Sequence, residues 1–474
     1  MTSIRACLLT ASLAAAGVAQ AQTAPSTSAP ATKADDSSLT WKGITLYGIV
    51  DIGIQNDTHS APFSDYFPPG SASVIQKNDY DSPTGITPSN LSQSRIGISG
   101  NEPIAGDWAG VFRLETFFNP QSGDISDALK SIALNNGKAL TAQNVGVDSS
   151  IAGQLFSGAA YAGFSSPTYG SFTFGRNVTP LGDGIGKYDP LSASNAFSLI
   201  GFSGTAAGGG DTEDRRLDQS VKYSAKYDWL HLGALYQFGS ASGSVNTAYQ
   251  FQIGGEYAGF SIDGFYAKKY DAISVAALSA AQVTAIQTGT CTAAAPATPQ
   301  CWPISNSLAA TVSDNQTYSV MALYAIPSST VKLFAGYERI TFNNPNNPLP
   351  AGTLTIGGYI LAVTNNAAYN NQKVLEVFWG GVKWGITPDL DLMAAYYGYN
   401  QDAFVTGADA GCGTTVSSGC SGTEDVLSLV FDYRLSKRFD VYAGTMYSGV
   451  KNGLANGYLY HTNIATTAGL RFKF

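Results

Sequence analysis

Charge is scarce in this chain. Asp, Glu, Lys and Arg together make up 13% of its 474 residues, against the ~25% usual for soluble domains. Histidine is scarcer still, with His59, His231 and His461 alone. No G-x-S-x-G nucleophile elbow appears, which argues against a hydrolase. Past the N-terminal leader no stretch approaches the ~20 consecutive apolar residues of a membrane helix. The basic side is also thin, at 26 Lys and Arg against 34 Asp and Glu, a net charge of −8. Nucleic-acid binding needs a basic footprint, so no nucleic-acid partner is expected.

The leader itself, "MTSIRACLLTASLAAAGVAQAQ", reads as a secretory signal over residues 1–21. It carries a lone Arg5, an apolar stretch too short to span a bilayer, and an A-x-A site at Ala19-Gln20-Ala21. Its removal takes the net charge to −9. Residues 22–42 open with Ser, Thr, Ala and Pro in no period and read as a flexible lead. The remainder, 43–474, is one domain.

Cysteine usage fits export. Cys7 leaves with the signal, and four remain, Cys291 near Cys301 and Cys412 near Cys420. Four cysteines allow three connectivities, and proximity favours the two local pairs as loop staples in an oxidising compartment. Neither pair is CxxC and no His lies beside one, so no metal is expected. Nothing implies a cofactor either. The acidic clusters "KNDYD" and "DTED" are read as solvated loop charge.

What the chain has in quantity is Gly (52), Tyr (26) and Phe (23). Segments of about ten residues alternate apolar with polar or small side chains, the period of a strand with one greasy face. In "EDVLSLVFDYRL", Leu427, Leu429, Phe431, Tyr433 and Leu435 oppose Ser428, Asp432 and Arg434. In "VFWGGVKW" the phase slips at Gly380-Gly381, which predicts a bulge or local irregularity. Sixteen candidate strands start near residues 43, 94, 107, 155, 170, 216, 230, 247, 260, 316, 330, 373, 389, 424, 439 and 463. Short links such as "IPSS", "GITPD" and "LSKR" alternate with longer ones such as 55–93, 117–154 and 177–215. That rhythm predicts an all-β, transmembrane antiparallel barrel with turns at one end and loops at the other. Both termini then lie at the short-turn end, and outer-membrane lipid is the surrounding solvent.

Several stretches resemble the general trimeric porins of Gram-negative bacteria, above all their betaproteobacterial branch. They are "ITLYGIVDIGI", "SQSRIGISGNEPI", "AYAGFSSPTYGSFTFGRN", "RLDQSVKYSA" and the terminal "GLRFKF". The resemblance implies a sixteen-stranded, usually homotrimeric barrel whose water-filled lumen is narrowed by its third loop, here 177–215. It implies passive diffusion of small hydrophilic solutes. Arg95 and Arg216 match the family's wall arginines. By alternation Arg113, Glu115 and Lys222 also point inward, and Asp183 and Asp189, with Lys187 between them, are candidates for the acidic side. Gly158 stands where the family often has an arginine, and the direction of Arg176 is ambiguous. The resemblance further makes Phe474 a terminal signal for the outer-membrane assembly machinery. "GDGIGK" lacks the full phosphate-loop pattern and reads as a flexible part of the pore loop. For each wall cation, pairing with a carboxylate competes with a role in selectivity, and the sign of selectivity stays open. A substrate-selective channel, or a barrel kept for adhesion or surface recognition, shares the same fold.

Overall fold

The computed structural model describes residues 39–63, 78–126, 155–200, 216–239, 246–278, 283, 308–350, 353, 355–356, 359–407, 412 and 416–474. The signal, most of the lead, Cys291, Cys301 and residues 201–215 lie outside the described residues. So do "DTED" and the first residue of "KNDYD".

The alternating segments form sixteen barrel strands. The first eight are β1 (Ile44–Asp57), β2 (Thr84–Pro88 and Arg95–Ala105, interrupted at 89–94), β3 (Trp108–Phe117), β4 (Ala160–Ser166), β5 (Gly170–Val178), β6 (Arg216–Tyr227), β7 (Leu230–Gln237) and β8 (Ala248–Tyr257). The rest are β9 (Phe260–Ala277), β10 (Leu308–Ala325), β11 (Val331–Asn343), β12 (Lys373–Gly385), β13 (Leu390–Gln401), β14 (Gly422–Arg434), β15 (Phe439–Asn452) and β16 (Thr462–Lys473). Each pairs antiparallel with the next, and β16 closes on β1 from Ile49 opposite Lys473 to Asp57 opposite Ala465. Closure leaves no edge strand and pairs the backbone groups that hydrocarbon could not satisfy.

The greasy parity faces out. Phe251 and Ile253 on β8, Tyr318 and Val320 on β10, and Leu427, Leu429, Phe431 and Tyr433 on β14 are all exposed. The links at the short-turn end are tight. Tyr257 pairs Phe260 across Ala258-Gly259, both at positive φ (49° and 83°), the requirement of a type I′ hairpin turn.

Four expectations need correction. No bulge interrupts β12 at Gly380-Gly381, because its register with β11 runs unbroken from Val331 opposite Trp384 to Phe342 opposite Lys373. Strand β10 begins eight residues earlier than its alternation marked, since its outer end pairs with β9 and, in parallel, with a loop strand Tyr359–Asn365. The last residues of the assigned lead are not loose, because Thr40–Trp41 pairs back on Thr45 and Ile44. And "GDGIGK", read as flexible, lies in a nine-residue helix, α1 (Pro180–Tyr188).

The interior is less polar than strand alternation implies. The inner faces of β9 to β15 carry Phe265, Met321, Val377, Met393, Val426, Val430 and Met446, packed on Leu181, Ile185, Tyr188, Phe197 and Ile200. A core therefore lies inside the barrel, between one side of its wall and the segment after β5. In the loop after β13, Cys412 and Cys420 are joined by a disulfide.

The chain end is held on both sides. Gly48 donates its N–H to the Phe474 carbonyl (2.9 Å), and the Phe474 N–H returns one to Gly48 (3.1 Å). Leu470 and Phe472 face outward, while Arg471 turns inward to Asp440 (2.9 Å) and Asp432 (3.0 Å).

Candidate functional site: the inner loop and the arginine wall

The segment after β5 starts with a well-formed helix entry. Thr179 caps α1, its Oγ1 accepting from the Gly182 N–H (3.0 Å), and Pro180 occupies the first turn, where its missing N–H is harmless. Gly184 lets the helix approach β9, because a Cβ there would lie 2.4 Å from the Phe265 ring. The Leu181 N–H donates to Gln250 of β8 (3.1 Å), and the Tyr188 hydroxyl donates to Asp263 of β9. Lys187 pairs with the same Asp263 (3.3 Å).

Beyond the helix the chain continues across the interior. Trp379 of β12 donates its indole N–H to the Tyr188 carbonyl (3.1 Å), and Ser428 of β14 donates to the Phe197 carbonyl (2.7 Å). At the interruption of β2, Asn195 donates to the Ser89 carbonyl (2.9 Å), and the Ala196 N–H to the Asn90 carbonyl (2.9 Å). Residues 179–200 are thus tied in turn to β8, β9, β12, β14 and β2. Fully burying each of Leu181, Ile185, Phe197 and Leu199 adds roughly 1.5–3 kcal/mol. This is a docked segment.

Asp189 is part of the docking. It is buried, and its carboxylate accepts from the Tyr397 hydroxyl (2.6 Å) and from the N–H groups of Ala193 (2.6 Å) and Leu191 (3.3 Å). Burial pushes its carboxyl above the ordinary aspartate range, against those hydrogen bonds. Asp183, on the exposed side of α1, forms an ion pair with Lys222 of β6.

The wall of β1 to β6 carries the remaining expected residues. Glu115 of β3 is 1% exposed and sits among three guanidinium groups. Arg113 touches it at 2.5 Å, Arg95 lies at 3.9 Å and Arg216 at 4.0 Å. Tyr47 donates to Glu115 (3.1 Å) and accepts from Arg113 Nε (2.7 Å). Arg216 lies over the Phe117 ring, 4.6 Å from its centre. Three guanidinium groups thus gather around one buried carboxylate. Gly158 has a definite role here, since a Cβ there would come within 2.5 Å of a Glu115 carboxylate oxygen. The glycine makes room for the acid that gathers the arginines.

Arg176 points inward because β5 changes register between Gly175 and Asn177, which overrides simple parity. It pairs with Asp218 (2.5 Å) and donates to the Ser157 carbonyl (3.0 Å). His231 is buried on the inner face, within 3.3 Å of both Glu256 and Asp263. Asp263, Trp379 and Tyr397, which anchor the loop, were not among the sequence candidates. The phase slip at "VFWGGVKW" is their one visible trace. It marks an inward Trp379, with Gly381 leaving space for Pro190, whose Cγ a Cβ would approach to 2.5 Å.

Several known proteins are similar to this chain. An outer membrane porin protein of Bordetella pertussis is 27% identical over 198 residues, 41% of this chain and 42% of that protein. The alignment thus spans about two fifths of that relative. Among solved structures, an anion-selective porin from Comamonas acidovorans superposes with a TM-score of 0.55 at 16% identity, covering 91% of this chain and 99% of that one. A loop-deletion form of OmpT, an outer membrane protein of Vibrio cholerae, gives 0.53 at 15% identity over 91% of this chain and 99% of the other. At such identities the two structures speak for the fold. Residues 8–453 match the sequence profile of the Gram-negative porins, and with a closed sixteen-strand barrel around them the chain belongs to that outer-membrane family.

Proposed function

We propose that the barrel passes small hydrophilic solutes and ions across the outer membrane by passive diffusion. The pore is narrowest where residues 179–200 lie across from the arginine wall. One observation carries this reading: the loop is docked against β9 to β15, while Arg95, Arg113 and Arg216 converge on Glu115 in the wall of β2 to β6. A field from three guanidinium groups acts at short range in a water-lined passage with low-dielectric walls. Despite a net charge of −9 once the signal is removed, the arginine cluster favours anions in this reading.

Glu115 is the internal brake on that preference. Asp183 and Lys187 serve in this reading to seat α1 against Lys222 and Asp263, and Asp189 to seat the turn that follows. The reading includes a homotrimer, export through the cleaved signal 1–21, and delivery by the assembly machinery through Phe474. The related OmpT of Vibrio cholerae is described in a trimer form. Catalysis has no part in it, the family being one of channels.

Planar-bilayer recording of the purified protein tests this. Conductance should rise in proportion to salt, without saturation, and the reversal potential in a KCl gradient should report anion preference. Absence of conducting steps would defeat the pore. Saturation by one solute class would point to a substrate-selective channel instead.

A further inference from the structure

The outer wall carries a feature that pore function leaves unused. Between β8 and β11, Phe251, Ile253, Tyr266, Tyr318 and Val320 border a groove of about 420 Å³ on the lipid-facing side. Gly264 is its floor. A Cβ there would meet only the Ile253 carbonyl oxygen, at 3.7 Å, so the space above it is open.

Just beyond the groove, toward the loop end of the strands, stand two cations. Lys268 follows Gly264 and Tyr266 on the outward parity of β9, opposite Gln316, and Arg339 has outward parity on β11, opposite Tyr318. Among the described residues neither makes a hydrogen bond or a contact ion pair; the Lys268 ammonium lies 5.1 Å from the centre of the Tyr270 ring and feels Asp314 of β10 only through space. Every other basic residue of the described strands has inward parity, except Lys451 at the outer end of β15. Glu376 is across from Arg339 but accepts instead from the Tyr337 hydroxyl (2.6 Å). Tyr249, Tyr266 and Tyr318 form a run of neighbouring rings, at 6.0 and 5.0 Å, of the kind that marks a membrane interface. An unpaired cation on a lipid-facing wall is costly in hydrocarbon and becomes favourable beside an anion at that interface.

We propose that this wall binds an anionic membrane lipid, with its phosphate between Lys268 and Arg339 and one acyl chain in the groove over Gly264. Phosphate supplies a counter-charge in contact with both cations, and the chain fills a cleft that flat sheet packing leaves empty.

Native mass spectrometry of the full chain, refolded in detergent and titrated with phosphatidylglycerol or phosphatidylcholine, tests it. The wild type should retain phosphatidylglycerol preferentially, by about fivefold for each cation, with the preference falling at high salt. K268Q with R339Q should abolish the preference while leaving chain binding. G264L, which grows into open space, should weaken retention of both lipids in a protein that still migrates as a folded barrel. Equal retention of the two lipids by wild type would overturn the proposal. So would G264L protein with unchanged retention but altered oligomer mass, since a second copy of the chain would then cover the groove.

Discussion

Two carboxylates on the inner side show how burial separates roles. Asp189 is enclosed by Tyr397 and the N–H groups of its own turn, and burial raises its carboxyl. An acid raised in the folded state stabilises at low pH and loses that contribution as pH rises through its folded value. Acidification from neutrality toward about pH 4 should therefore tighten the loop through this group. Single-channel noise should not grow over that range. Asp189→Asn should preserve conductance and remove this residue's share of the pH response. Asp189→Ala leaves the Tyr397 hydroxyl without its acceptor, costing about 1–3 kcal/mol, and should appear as loop flicker in the current trace. Glu115 is the second carboxylate, held by Arg113 and flanked by Arg95 and Arg216. Glu115→Gln keeps an acceptor for Tyr47 but removes the charge, and should move the reversal potential further toward anions. No shift would mean the three arginines are shielded from the pore.

At the scale of elements, the docked segment depends on absent side chains as much as on present ones. Gly381 faces Pro190, where a Cβ would fall 2.5 Å from Cγ. Gly381→Leu should push the loop off β12, and a changed unitary conductance with normal barrel yield would register it. The closing strand invites a different change. Deleting Phe474 removes its two backbone bonds to Gly48 and should lower membrane levels more than the conductance of the pores that do assemble. Normal levels would refute that role.

These elements also show which features can be read locally. Lipid imposes period two on the outer face, so Leu427 to Tyr433 announced their strand without help. The inner face obeys no such rule, because what it meets is another part of the same chain. Trp379 and Tyr397 look like any barrel aromatics until residues 188 and 189 come to rest on them. Arg95, Arg113, Glu115 and Arg216 were legible as inward, yet their convergence depends on Gly158, an empty position whose meaning comes only from its neighbour. Arg176 resisted because one irregularity in β5 reverses its parity.

On the scale of the whole molecule, the barrel divides its interior unequally. The wall of β9 to β15 carries an apolar cluster that packs against residues 181–200, while that of β1 to β6 holds Arg95, Arg113 and Arg216. The proposed function assigns rigidity and conduction to opposite sides of one closed sheet. The loop can stay seated by hydrophobic burial without placing apolar surface in the ion path. In the proposed reading the overall negative charge governs the approach of ions, and the local arginines govern their passage. The two influences differ in range and respond differently to salt.

The most direct test of this division is the zero-current reversal potential in a tenfold KCl gradient, compared between wild type and the Arg95→Ala plus Arg216→Ala double variant. The account predicts anion preference in the wild type and a clear shift toward cations in the variant, with the single-channel conductance retained. An identical reversal potential in the two proteins would contradict it.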